Sequence, residues 1–279
     1  MADYRGRMRS APDQPTGPIG VPRFTPLPPA ARLLVVETVL VLGVSLGRSA
    51  WYSVLSIIDL LTRKAPLSTQ TSVLNVSVTP DRPWLDLAYQ LSDIAFPLVP
   101  VALAVYLLAT LHRPADGVAR ALGVAPRRPV FDIGWSVLLF VGIGVPGLGL
   151  YLGARAIGIN TTVAPANLAA NWWTIPVLVL SAAMNAVLEE TVMLGYLFTR
   201  WRQVGWSPLV VLGVSALIRG SYHLYQGFGG FIGNLVMGVI FGAFYLRTRR
   251  LWPLIGAHLL LDVTSFVGYS LLHGHVSWL

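Results

Sequence analysis

The chain contains no cysteine. That excludes a thiol nucleophile, a disulfide framework and any cysteine-ligated metal. Charge is also scarce. Asp, Glu, Lys and Arg make up 11% of the 279 residues, against about 25% in soluble domains. Lysine occurs once, at Lys64, and the other 19 of the 20 basic residues are arginine. No His-Glu-x-x-His sequence is present, which removes that zinc-protease motif. Ser181, Ser215 and Ser221 carry no sign of an activated nucleophile.

What is abundant is apolar surface: 54% of the residues are hydrophobic and the mean hydropathy is +0.65. The apolar runs are mostly near 20 residues or longer, so they read as membrane-spanning helices. A transmembrane β-barrel would show shorter, alternating segments. The predicted fold is an all-α polytopic membrane bundle of about seven helices, near 31–61, 84–111, 130–159, 174–200, 208–226, 229–246 and 252–272. Residues 1–30, rich in Pro, Arg and Gly, read as a disordered cytoplasmic tail rather than a signal peptide. Residues 31–173 form an N-terminal unit of three spans, and 174–279 a helical core of four spans that holds the polar site.

The arginines sit at span ends. Arg5, Arg7, Arg9, Arg23 and Arg32 precede the first span. Arg113, Arg120, Arg127 and Arg128 follow the second, Arg200 and Arg202 the fourth, and Arg247, Arg249 and Arg250 the sixth. The opposite loops hold Arg63, Lys64 and Arg82, with Arg155 near the end of the third span. The positive-inside rule then gives a multi-pass cell-membrane protein with a cytoplasmic N-terminus and an external C-terminus. Topology accounts for the net charge of +8, so no nucleic-acid partner is implied. In span six Gly230, Asn234, Gly238 and Gly242 recur at fourth positions, which predicts close helix packing. Span three, with Pro146 among several glycines, is expected to kink.

Against this background the ionisable residues inside the last spans stand out. Each costs about 3 kcal/mol to place in hydrocarbon, so each marks a functional-site hypothesis. Glu189 and Glu190 are adjacent, and side chains 100° apart on a helix meet different neighbours. One is expected to face a water-filled cavity and the other a cationic partner. Arg219 and His223 are four residues apart, as are His258 and Asp262, so each pair shares a helix face. At ~1.5 Å per residue, Glu190 lies about 15 Å from Arg200 and His258 about 12 Å from Arg250. By the same reckoning His223 lies about 22 Å above Pro208, several Å too far out. Arg48, Asp93 and Asn185 are read as interhelical polar contacts, and His112, His273 and His275 as solvated.

The ordered set Glu189-Glu190, His223 and His258-x-x-x-Asp262 resembles the CPBP (Abi) family of intramembrane proteases, related to the type II CAAX prenyl endopeptidases. Their pattern is Glu-Glu-x-x-x-Arg, then Phe-x-x-x-His, then His-x-x-x-Asn or Asp. The resemblance covers about 174–272 and implies that Glu189 and His223 activate a water. It also implies that His258 and Asp262 stabilise the oxyanion. Two positions depart: Leu194 stands where the family has Arg, and Arg219 where it has Phe. Arg219 is therefore expected to replace the missing cation as the partner of Glu190. Asp262 differs chemically from Asn, because an ionised carboxylate cannot donate a hydrogen bond. It is then protonated, orients His258 or binds metal. The implied substrate is a membrane-associated peptide within the lipid bilayer. The resemblance leaves open a site without cofactor or one with zinc on Glu189, His223 and His258. A non-catalytic scaffold, an immunity factor or a proton-coupled transporter would use the same groups differently.

Overall fold

The computed structural model describes residues 31–112 and 117–273. The expected tail at 1–30 and His275 fall outside these, as does the side chain of His112. Among the described residues there are eleven α-helices: α1 Ala31–Gly43, α2 Leu46–Thr62, α3 Pro83–Ala95, α4 Leu98–His112, α5 Val118–Ala121, α6 Pro129–Ala156, α7 Thr174–Glu190, α8 Leu197–Val204, α9 Pro208–Ser221, α10 Phe228–Thr248 and α11 Trp252–Leu272. Proline in the first turn, where no intrahelical N–H is needed, opens α3, α6, α9 and α11. Ser207 caps α9 by accepting from Val210 N.

The chain is a multi-pass helical membrane protein, and among the described residues five or six stretches have the length and apolarity of full spans, so a count of seven is not confirmed. Five stretches are long and apolar enough to cross: 83–110, α6, 174–204, α10 and α11. The pair α1–α2, bent by 56°, makes a sixth if it crosses as one broken span. The expected fifth span shrinks to α9. Its 14 residues extend about 21 Å, short of the ~30 Å hydrocarbon core. Packing against α10 therefore sets the level of His223, and distance from Pro208 does not. The glycines of α10 make that packing possible. A Cβ on Gly238 would lie 3.0 Å from Ala216 Cα, and one on Gly242 would lie 2.4 Å from Leu212 Cδ1.

Span three, expected to kink, is one continuous helix, α6, with Pro146 inside it. Interruptions fall elsewhere, between α1 and α2, between α3 and α4 at Phe96–Pro97, and as a π-helical turn, Thr191–Tyr196, between α7 and α8. The stretch 174–204 is the central helix: 67% of its apolar window is buried, against 11–33% for the other four. Its π turn starts immediately after Glu190, and such wide turns cluster at functional sites.

A small parallel sheet of β1 Thr71–Val73 and β2 Thr162–Ala164 joins the loops after α2 and α6. It clamps the turn that carries His223. Ser72 Oγ donates to Tyr225 O (2.8 Å), Thr161 N to Gln226 O (3.0 Å), and Phe228 N to Ile159 O (2.9 Å). Tyr225 N reaches Ser53 Oγ of α2 at 2.7 Å.

Arg200, counted above among the loop arginines, is fully buried. Its Nε donates to Glu37 Oε1 (2.6 Å), and its Nη2 to Leu107 O (2.9 Å). Tyr196 OH donates to the same Glu37 oxygen at 2.7 Å. This polar knot ties α1 and α4 to the central helix. Removing one partner of a buried pair strands the other charge, so Glu37→Ala should cost about 3–5 kcal/mol. Arg202→Ala, at an exposed position, should cost under ~0.5 kcal/mol. Denaturant titration of both variants in detergent measures the contrast.

Candidate active site

Glu189 and Glu190 close α7 and, being adjacent, point in different directions. Glu190 is fully buried, and its Oε1 takes two donors. Arg219 Nη2 lies 2.5 Å away and His258 Nδ1 2.8 Å away. Arg219, from the last turn of α9, is 1% exposed and stacks its guanidinium 5.5 Å from the Phe241 ring centroid. The glycine at 238 leaves room for its stem, since a Cβ there would lie 3.2 Å from Arg219 Cδ. Leu194, at the position of the family arginine, is buried among apolar side chains.

Glu189 faces the other way. It lines a cavity of about 1240 Å³ together with Asn185, Tyr222, His223, His258 and Asp262. Glu190 and Arg219 do not line it. Tyr222 OH donates to Glu189 Oε2 at 2.7 Å, and Arg219 Nη2 stands 3.8 Å from the same oxygen.

His223 lies in the turn just past α9, one residue beyond its C-cap. Its Nδ1 is 3.1 Å from Arg219 O. A carbonyl only accepts, so Nδ1 carries the proton and Nε2 keeps a lone pair. His258 likewise carries a proton on Nδ1, which it donates to the Glu190 carboxylate. Its Nε2 lies 3.7 Å from Asp262 Oδ2. Asp262 Oδ2 in turn accepts from Asn185 Nδ2 at 3.1 Å.

All six expected residues, Glu189, Glu190, Arg219, His223, His258 and Asp262, are thus gathered at one place. Two neighbours were not anticipated in these roles. Asn185, read as an interhelical contact, is one helical turn before Glu189 and reaches the residue whose donor capacity was in question. Tyr222 adjoins His223 in sequence, and its hydroxyl had no distinguishing signal. Arg48 and Asp93, also read as interhelical contacts, are exposed and line the cavity instead. The sequence Gly43-Val44-Ser45-Leu46-Gly47 also matches a nucleophile-elbow pattern. However, it sits at a helix–helix break, and Ser45 Oγ donates back to Val41 O at 2.5 Å.

The described trio whose ligand atoms lie within 4.8 Å of one another is Glu189, Glu190 and His258. The trio expected for zinc contained His223 in place of Glu190. Glu190 Oε1 accepts from Arg219 and from His258 Nδ1, whereas its Oε2 is buried with no hydrogen-bond partner, so Glu190 keeps an oxygen that could act as a ligand beside Glu189 and His258.

The Glu190–Arg219 pair has a measurable signature. Arg219→Leu, which leaves Glu190 buried beside His258 alone, should destabilise by about 3–5 kcal/mol. Joining it to Glu190→Leu should recover much of that loss, because no charge is then left unpaired. Unfolding titrations of the two single variants and the double variant give the coupling energy.

Comparison with family models matches residues 171–264, about a third of the chain, to the family described as type II CAAX prenyl endopeptidase Rce1-like. Comparison with curated proteins and with solved structures gives no match. The matched stretch begins just before α7 and ends in α11, so it contains every residue of the polar cluster. Residues 171–264 are therefore similar to the Rce1-like type II CAAX prenyl endopeptidases, in agreement with the resemblance drawn from the sequence.

Proposed function

We propose that the protein is an intramembrane endopeptidase of the cell membrane, with its arginine-rich loops on the cytoplasmic side. It hydrolyses a peptide bond of a membrane-associated substrate with a water activated by Glu189 and His223. The observation that carries this reading is the division between two adjacent carboxylates. Glu190 is sealed behind Arg219, while Glu189 faces a cavity of about 1240 Å³ beside two oriented imidazoles. That volume exceeds the ~300–1,000 Å³ of small-molecule sites and suits a length of extended peptide.

In this mechanism a water sits between the Glu189 carboxylate and His223 Nε2. Glu189 takes its proton, and the oxygen attacks the scissile carbonyl carbon. The carbonyl electron pair moves to oxygen and forms a tetrahedral oxyanion. Donors preset in a site shielded from bulk water stabilise that charge most effectively. His258 in its imidazolium form presents Nε2–H. Asn185, with one amide hydrogen on Asp262, presents the other. An ionised Asp262 holds Asn185 and His258 in place without donating. The oxyanion then collapses, the C–N bond breaks, and the proton held by Glu189 passes to the departing amine.

Arg219 favours a metal-free site, since its guanidinium already places one positive charge beside the two carboxylates. The test is cleavage by the purified protein, in lipid nanodiscs, of a library of membrane-anchored peptides that includes farnesylated C-terminal peptides. Glu189→Ala and His223→Ala should lower the rate at least ~10²-fold. Asn185→Ala should lower it by about 10²–10³, the cost of one lost oxyanion donor. Dialysis against chelator should leave the wild-type rate unchanged. Equal cleavage by all variants would sink the catalytic reading and leave a scaffold or a proton-coupled transporter. Loss on chelation that zinc restores would overturn the metal-free mechanism.

A further inference from the structure

Two loops more than a hundred residues apart in sequence, the α5–α6 loop and the α10–α11 loop, close around one small pocket of about 250 Å³. Five arginines line it, Arg120, Arg127, Arg128, Arg249 and Arg250, together with Thr248. Topology alone asks for arginines near span ends and does not require them to converge on one concavity. The convergence here is built. Arg250 is a strut: it pairs with Asp132 of the first turn of α6, and its Nη2 donates to Ala125 O at 3.1 Å. Gly123 (φ +75°) packs so closely that a Cβ on it would lie 2.1 Å from Arg249 O. Arg249 itself has φ +53°, a backbone conformation uncommon outside glycine. Arg127, Arg128 and Arg249 remain exposed at the rim. The first turn of α6 starts beside them at Arg128 with no side-chain cap, so the positive end of that helix adds to the field.

We propose that this pocket binds a phosphate-bearing anion, in the manner of basic pockets between spans that hold anionic lipid headgroups. Its volume is below the ~300 Å³ floor of sites for whole small molecules and fits a single charged headgroup. Guanidinium forks match phosphate oxygens geometrically, which suits five arginines better than five lysines would. The ends of α6, α10 and α11 put the pocket at the membrane boundary, where phospholipid phosphates lie. The site is separate from the carboxylate cluster and does not depend on the proteolytic reading.

The test uses the full-length protein, delipidated in detergent. Thermal unfolding is followed while phosphatidylglycerol, phosphatidylcholine or inorganic phosphate is titrated in. Phosphatidylglycerol should raise Tm saturably, and phosphatidylcholine should not. Arg127→Gln combined with Arg249→Gln keeps the Arg250–Asp132 strut and should weaken the apparent affinity roughly 30-fold. Arg247→Gln, in the last turn of α10 and outside the pocket, should leave it unchanged. A saturable shift by inorganic phosphate that the double variant loses would support the same site with free phosphate as its source. The proposal is overturned if wild type and double variant respond alike, or if Arg247→Gln weakens binding as much as the double variant does. It is also overturned if no anion shifts Tm.

Discussion

Arg219 can stay buried in the helix bundle only because Glu190 meets it at 2.5 Å. Most of the site follows from that pairing. Glu190 is held by the guanidinium on one side and by His258 on the other, which fixes the imidazole and leaves its second nitrogen toward Asp262. The backbone carbonyl of Arg219 in turn accepts from His223. Arg219 thus bears on both histidines, on His258 through Glu190 and on His223 through its own backbone carbonyl. Glu189, the neighbour of Glu190, points out of this locked layer toward the cavity. The chain has three glutamates, and each stands within 4 Å of an arginine: Glu37 by Arg200, and both Glu189 and Glu190 by Arg219. The glutamates of this bundle thus appear only where a cation has been placed to receive them.

The elements around the pair keep it sealed while leaving Glu189 open. The short helix α9 delivers Arg219 at its end, and the glycines of α10 bring a flat surface against it. The π turn after Glu190 widens the central helix at the level of the site. Outside the bundle, the sheet of β1 and β2 pins the turn from Tyr225 to Phe228, so His223 is held by backbone hydrogen bonds from loops that the family match does not include. The remaining cavity wall comes from α2, the α3–α4 break and α6. The N-terminal helices, which carry no family motif, therefore shape the space a substrate would occupy.

The residues of the site were legible from the sequence because membrane spans penalise ionisable groups, so Glu189, Glu190, Arg219, His223, His258 and Asp262 were conspicuous. The exchange that puts leucine at 194 and arginine at 219 was legible for the same reason. Asn185 and Tyr222 were not, because an uncharged polar side chain in a span is common and its partner depends on helix rotation. Arg200 looked like a loop arginine because sequence position gives depth but not burial, and its partner Glu37 is 163 residues away. Hydropathy joined the apolar residues of α9 to the turn after them, so the span appeared longer than the helix is.

The central claim is a division of labour between two adjacent glutamates, and a paired measurement on Glu189→Gln and Glu190→Gln tests it most directly. Both variants would be assayed for unfolding midpoint and for peptide turnover in the same nanodiscs. The account predicts that Glu189→Gln loses turnover while its midpoint stays near wild type. It predicts that Glu190→Gln, with Arg219 left uncompensated, loses stability. If Glu190→Gln were as stable as wild type, or if Glu189→Gln retained full turnover, the division would be contradicted.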